Sequence, residues 1–147
     1  MALNQQLNAH VRFMYDQGLL EELQFDQLQQ LKDANNPDFI VDVITLFCED
    51  TDRILGELDK YKGAPVLDCY KVGAYVHQLK GSSSSVGAQR VTLACVNFRQ
   101  AFEENDMDRC RQAVNMISEE YSKIRKEFEK MVQGSAHGML AKHTAEK

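Results

Sequence analysis

The stretch VNMISEEYSKIRKEFEKM, residues 114–131, decides the fold. Val114, Ile117, Tyr121, Ile124, Phe128 and Met131 recur at alternating steps of three and four residues. Only an α-helix returns side chains of that spacing to one face, and a face this regular is the seam of a bundle rather than a lone amphipathic stripe. Extended outward, the pattern predicts a long helix over about 107–133, closed by Gly134.

Towards the N-terminus the same period repeats. Val91, Ala94, Cys95, Phe98, Ala101 and Phe102 outline a second helix that ends near the polar turn Glu103-Glu104-Asn105-Asp106, with Asp106 as a cap for the helix that follows. A third is predicted over 37–61, with Asn36 as N-cap and Pro37 in the first turn. It carries Ile40, Val43, Ile44, Phe47, Ile54, Leu55 and Leu58 on a broad face. It stops at Lys62-Gly63-Ala64-Pro65, and Pro65 is read as the first residue of a helix running to about Gly87. Two shorter helical patterns, about 3–17 and 19–34, precede all of these and are separated by Gly18. Strand signals are nearly absent: there is no sustained alternation and no Asn-Gly hairpin. The expected fold is all-α, an antiparallel four-helix bundle over about 37–133 with two additional N-terminal helices over about 3–34, in one domain spanning 1–134. The tail 135–147 has no sustained apolar face and is expected to be flexible.

Composition agrees with one domain. The chain has 147 residues, 44% hydrophobic and 27% charged, with 2 Pro and 8 Gly, which is ordinary globular stock. A net charge of −5 argues against nucleic-acid or anionic-membrane partners recruited by bulk charge. No apolar run approaches the roughly 18 residues of a membrane span, and MALNQQLNAH lacks the basic and apolar regions of a secretory signal. An intracellular protein is expected. Cys48, Cys69, Cys95 and Cys110 form no C-x-x-C pair and have no histidine at ligand spacing, so reduced thiols in a helical core are expected and no metal site is read. The acidic stretch 103–108 lacks the D-x-D-x-D-G loop of an EF-hand. His10, His137 and His143 lack any special setting.

One helix departs from good helix design. In PVLDCYKVGAYVHQLKGSSSSVGA, residues 65–88, Cys69, Val72, Val76, Leu79, Ser83 and Val86 share the side that must face the core. His77 lies about 130° from the centre of that stripe and is predicted to face solvent. Around it stand Gly73 and Ala74 one turn earlier, Lys80 and Gly81 one turn later, and Ser84 two turns later. Each interior glycine costs about 1 kcal/mol against alanine, so a merely solvated face would carry Glu, Lys or Gln instead. Small residues leave the imidazole uncrowded and let another protein surface approach it, while Lys80 can reach whatever the ring holds. A neutral imidazole is a good nucleophile, and an ammonium nearby favours an anion once attached. The setting suits transient phosphorylation of His77. It suits neither a metal ligand, lacking a second ligand at helical spacing, nor a hydrolytic triad, lacking an orienting carboxylate on this helix.

His77-Gln78-Leu79-Lys80-Gly81-Ser82-Ser83-Ser84-Ser85-Val86-Gly87-Ala88 resembles the active-helix signature of plant histidine-containing phosphotransfer proteins, His-Gln-x-Lys-Gly-Ser-Ser-x-Ser-x-Gly-Ala, at every specified position. The resemblance extends over nearly the whole chain. It implies a carrier in a multistep His–Asp phosphorelay such as cytokinin signalling, without turnover of its own. His77 would accept a phosphoryl group from the receiver aspartate of a hybrid sensor kinase and pass it to the receiver aspartate of a response regulator. Lys80 would steady the phosphoryl group, and Gly81 with Ser82 and the following serines would admit the receiver. No cofactor is implied, Mg²⁺ coming from the receiver. Some relatives lack the histidine and act as pseudo-phosphotransfer inhibitors; His77 is present here.

A docking face is expected around the histidine. Counted back from a turn near residue 63, His77 falls level with about Glu49 and Asp50. Phe39, Leu46 and Asp50 share one edge of the 37–61 helix, whose apolar sector exceeds what one core face needs. That excess either covers the N-terminal helices or, with Leu28 or Leu31, forms a receiver-docking patch. Gly73, Gln78 and Ser84 beside His77 complete the candidate partner-binding set, with Arg99 or Gln100 on the next helix as further polar candidates. The competing reading is a helical adaptor that binds receiver-like partners without transfer. The expected state is a monomer present in both cytoplasm and nucleus.

Overall fold

The computed structural model describes residues 2–31, 38–65 and 67–135. They form α1 (Ala2–Asp16), α2 (Glu22–Gln30), α3 (Phe39–Lys62), α4 (Cys69–Val86), α5 (Gln89–Glu103) and α6 (Met107–Ser135). No strand occurs among the described residues. Helix α3 packs on α4 and α6, α4 on α5, and α5 on α6, so the last four helices close a ring around one core. Helix α1 lies along α6, and α2 lies against α4.

The α6 seam is buried as the spacing requires: Val114, Ile117, Tyr121, Ile124, Phe128 and Met131 all turn inward, and Cys110 and Ala113 extend the stripe upstream. Phe128 meets Phe47 of α3 edge-on, with centroids 6.1 Å apart. The Tyr121 hydroxyl lies 2.8 Å from Asp52 Oδ1 and 3.0 Å from the Cys48 carbonyl, which gives this buried ring a polar anchor on α3. Arg125 Nε and Nη2 also donate to Asp52, each at 3.2 Å.

Several helix boundaries differ from the sequence reading. Helix α4 opens at Cys69 rather than Pro65, because the Asp68 side chain accepts from Lys71 N at 3.2 Å and supplies the cap that Pro65 cannot. Residues 63–65 belong to the connection, which Arg111 Nη2 secures by donating to the Ala64 carbonyl at 2.8 Å. Gly134 does not close α6, which runs to Ser135; one glycine weakens a helix without ending it. Helix α2 is shorter than expected: Leu19 and Leu20 are buried in the connection ahead of it, and Glu21 caps it by accepting from Leu23 N and Gln24 N. The Asp106 cap is present, its carboxylate accepting from Arg109 N at 3.1 Å. The Asn36 cap, Pro37 and the tail from 136 onward lie outside the described residues.

Between α4 and α5 the chain turns tightly. Gly87 adopts φ +79°, Ala88 N donates to Ser83 O at 2.9 Å and Gly87 N to Ser84 O at 3.2 Å, the paired bonds of a Schellman stop. A Cβ on Gly87 would stand 3.1 Å from the Glu21 carbonyl oxygen. Glu21 N donates to Gly87 O at 2.7 Å, so the glycine also fastens the N-terminal helices to the bundle.

Candidate functional site

Helix α4 buries Val72, Val76, Leu79, Ser83 and Val86 and leaves His77 exposed on the other side. The serine run that follows is helical through Val86. Ser82, Ser83 and Ser85 return their hydroxyls to the carbonyls of Leu79, Lys80 and Gly81 at 3.0–3.2 Å. Buried Ser83 also meets Thr92 Oγ1 of α5 at 2.8 Å. Ser84 stays exposed.

His77 has no hydrogen-bond or ionic partner among the described residues, so both ring nitrogens are open to a partner. It stands at a cleft of about 310 Å³ between α4 and α5, whose lining includes Tyr70, Gly73, Lys80, Phe98, Arg99 and Phe102. Lys80 is half-buried and without an ion pair among the described residues. Burial pushes the Cys95 thiol on the same cleft up to about 12, with the Lys80 ammonium pulling the other way. The cation is therefore within electrostatic reach of the cleft floor. Arg99 is the second cation at the cleft, held by Glu103 at 3.2 Å. The fold itself does not require the glycines around the histidine. A Cβ on Gly81 meets nothing within 4 Å, and one on Gly73 meets Phe98 Cε1 at an ordinary 3.7 Å. Together they forgo about 2 kcal/mol of helix stability and leave an open approach to the ring.

The other expected contact residues are distributed more widely. Gln78 is exposed and Ser82 half-buried. Leu46 and Leu31 are each 65% exposed, whereas Leu28 is partly buried against the core. Counted from the helix ends, His77 stands eight residues into α4 and Ile54 eight residues before the end of α3. Glu49 and Asp50 sit about one turn further along α3, with Asp50 paired to Arg53 at 2.7 Å. The connection between α3 and α4 occupies residues 63–68 instead of a turn at 63 alone.

Three aromatic residues, Tyr70, Phe98 and Phe102, also line the cleft. Tyr70 is 84% exposed and meets Phe102 edge-on, centroids 5.6 Å apart, with Phe98 beside them on the cleft. Tyr70 carried a legible signal, since it stands seven residues before His77, two turns away on the same face. Phe98 and Phe102 carried none beyond core spacing.

Residues 42–134 match the Hpt domain. The chain is similar to histidine-containing phosphotransfer protein 1 of Oryza sativa subsp. japonica, 45% identical over 90% of this chain and 89% of the relative. Among solved structures, a rice histidine-containing phosphotransfer protein aligns with TM-score 0.83 at 44% identity, covering 92% of this chain and 95% of the other. One from maize aligns with TM-score 0.83 at 45% identity, covering 92% and 98%. On sequence and on fold together, the chain belongs to the plant histidine-containing phosphotransfer family, whose members mediate phosphorelays.

Proposed function

We propose that this protein carries a phosphoryl group on His77 from the receiver aspartate of a hybrid sensor histidine kinase to the receiver aspartate of a response regulator, in cytokinin-type signalling. The observation that carries the reading is an exposed, unpartnered imidazole flanked by small residues, with Lys80 one turn away on the same cleft. In the accepting step a ring nitrogen lone pair attacks the phosphorus of the aspartyl phosphate. The N–P bond forms as the O–P bond breaks, the carboxylate leaves with the bonding pair, and the proton on the other ring nitrogen passes to water. Delivery to a second aspartate runs the same exchange in reverse.

Lys80 balances charge on the phosphoryl oxygens, and Gly73 and Gly81 admit the receiver surface, with Gln78, Ser82, Ser84, Leu28, Leu46 and Asp50 as its further contacts. The receiver supplies Mg²⁺; among the described residues no group of three or more His, Cys, Asp or Glu is placed to hold a metal. The protein then acts as a monomeric intermediate without turnover of its own, moving between cytoplasm and nucleus. No described helix is long and apolar enough to cross a membrane.

The test is intact-mass analysis after mixing the protein with a phosphorylated receiver domain and Mg²⁺, for wild type and His77→Gln. One acid-labile phosphoryl adduct on the wild type alone is expected. Receiver binding without any adduct, from several competent donors, would favour the adaptor reading instead.

A further inference from the structure

The cleft beside His77 holds an aromatic slot at one end and a cation at the other. Two turns before the histidine, α4 presents the exposed ring of Tyr70, edge-on to Phe102 of α5. Phe102 in turn lies 6.4 Å from Phe98, whose buried ring reaches the cleft. Gly73 keeps that ring accessible: a Cβ there would stand 3.7 Å from Phe98 Cε1, and a longer side chain would lie across it. Three aromatic rings around a volume of about 310 Å³ make a slot within the size range of small-molecule pockets. Lys80, half-buried and without an ion pair among the described residues, stands seven residues after Gly73, about 10 Å along the helix axis. Arg99 and Glu103 also line the cleft but pair with each other at 3.2 Å. One net positive charge is left, and Lys80 holds it. Inorganic phosphate would meet that charge and none of the rings. An apolar side chain from a protein partner would meet the rings and leave the half-buried ammonium without a counter-ion. A ligand that uses both ends has a planar aromatic body and one anionic group.

We propose that this cleft binds a small aromatic monoanion, its ring system seated among Tyr70, Phe98 and Phe102 over Gly73 and its carboxylate or sulfonate on the Lys80 ammonium. So placed, the ligand covers the cleft side of His77, and it and any partner that needs the imidazole exclude one another. The binding itself requires no phosphoryl transfer, so it stands or falls separately from the carrier reading.

The experiment titrates 2-naphthalenesulfonate into the full chain by calorimetry. One site is expected, with Kd on the order of 100 µM for a ligand of about 14 non-hydrogen atoms. Lys80→Met should weaken binding about tenfold, the loss of a charged hydrogen bond, and Tyr70→Ala about fivefold, the loss of a ring contact. Gly73→Leu, which fills the slot, should abolish it. Leu93→Ala, which removes an exposed apolar side chain outside the cleft, should leave Kd unchanged. The neutral analogue 2-naphthalenemethanol should bind about tenfold more weakly than the sulfonate, and inorganic phosphate at equal concentration should not compete. With the probe bound, diethyl pyrocarbonate should modify His77 more slowly, while His10, against α6, reacts at its unliganded rate, as read by peptide mapping. The proposal is overturned if the wild type shows no saturable binding, or if the probe leaves His77 unprotected. Equal binding of the neutral analogue would overturn it in favour of an apolar side chain as occupant, and displacement by phosphate in favour of a simple anion site at Lys80. Wild-type affinity in Tyr70→Ala, with its circular dichroism unchanged, would overturn it as well.

Discussion

Helix α6 buries an apolar side chain at almost every third or fourth position from Cys110 to Met131, whereas α4 breaks its outer face with Gly73, Gly81 and four serines. Both helices belong to the same ring of four and both bury one stripe in the same core. They differ on the side turned away from the core. On α6 that side is laced with ion pairs such as Arg125–Glu129 and Lys123–Glu120, the arrangement expected when a surface need only be soluble and helical. On α4 it holds an imidazole without a partner, an ammonium without a counter-ion among the described residues, and glycines that the packing does not require. Where a helix forgoes stability that its fold could have kept, the reason lies outside the fold. Under the proposed function, that reason is a surface the receiver must reach.

The comparison breaks or sharpens through substitution. The largest expected effect is in α4, where His77→Gln should abolish the phosphoryl adduct while the unfolding free energy moves by less than about 0.5 kcal/mol, as for other exposed positions. Loss of stability together with the adduct would mean that the histidine is structural after all. In α6, Phe128→Ala should lower the unfolding free energy by about 3–5 kcal/mol, read from urea denaturation followed by circular dichroism. A cost below about 1 kcal/mol would show that the seam is not the main support of the bundle.

At the end of α4, Gly87→Ala should cost about 2 kcal/mol, since a left-handed residue with a Cβ is strained and that Cβ would press on the Glu21 carbonyl. Lys80→Ala should leave the melting midpoint in place and slow phosphoryl transfer about tenfold, equivalent to ~1.4 kcal/mol in the barrier, as followed by rapid quench. The smallest effect carries the sharpest contrast. Gly81→Ala should stabilise the fold by up to about 1 kcal/mol while weakening receiver binding measured by calorimetry. If it stabilises and binds equally well, the open face of α4 is not a docking face at Gly81.

Much of this was legible in the sequence because it depends on local periodicity. The inward stripe Val72, Val76, Leu79, Ser83 and Val86 and the outward His77 follow from helical geometry alone. The caps were harder to read. Pro65 looks like a helix opener, but Asp68, three residues later, has a carboxylate that can accept a backbone N–H and so sets the boundary. That choice lengthened the connection to residues 63–68. The apolar excess on α3 also resolves by residue: Ile40, Val43 and Leu55 pack against the core, while Leu46 remains exposed.

The sequence by itself determined which segments are helices, which stripe of each is buried, and that His77 projects to solvent from the helix carrying Gly73 and Gly81. These properties repeat every three or four residues and need no knowledge of neighbours. Only the tertiary structure decided what stands across from them. Tyr70 against Phe102, Ser83 against Thr92, and Cys69 against Met107 join residues from different helices. Such meetings depend on how far each helix is rotated and shifted along its axis, which is set by the packing of whole side chains in the shared core and by the length of the connections, and no local pattern carries that information.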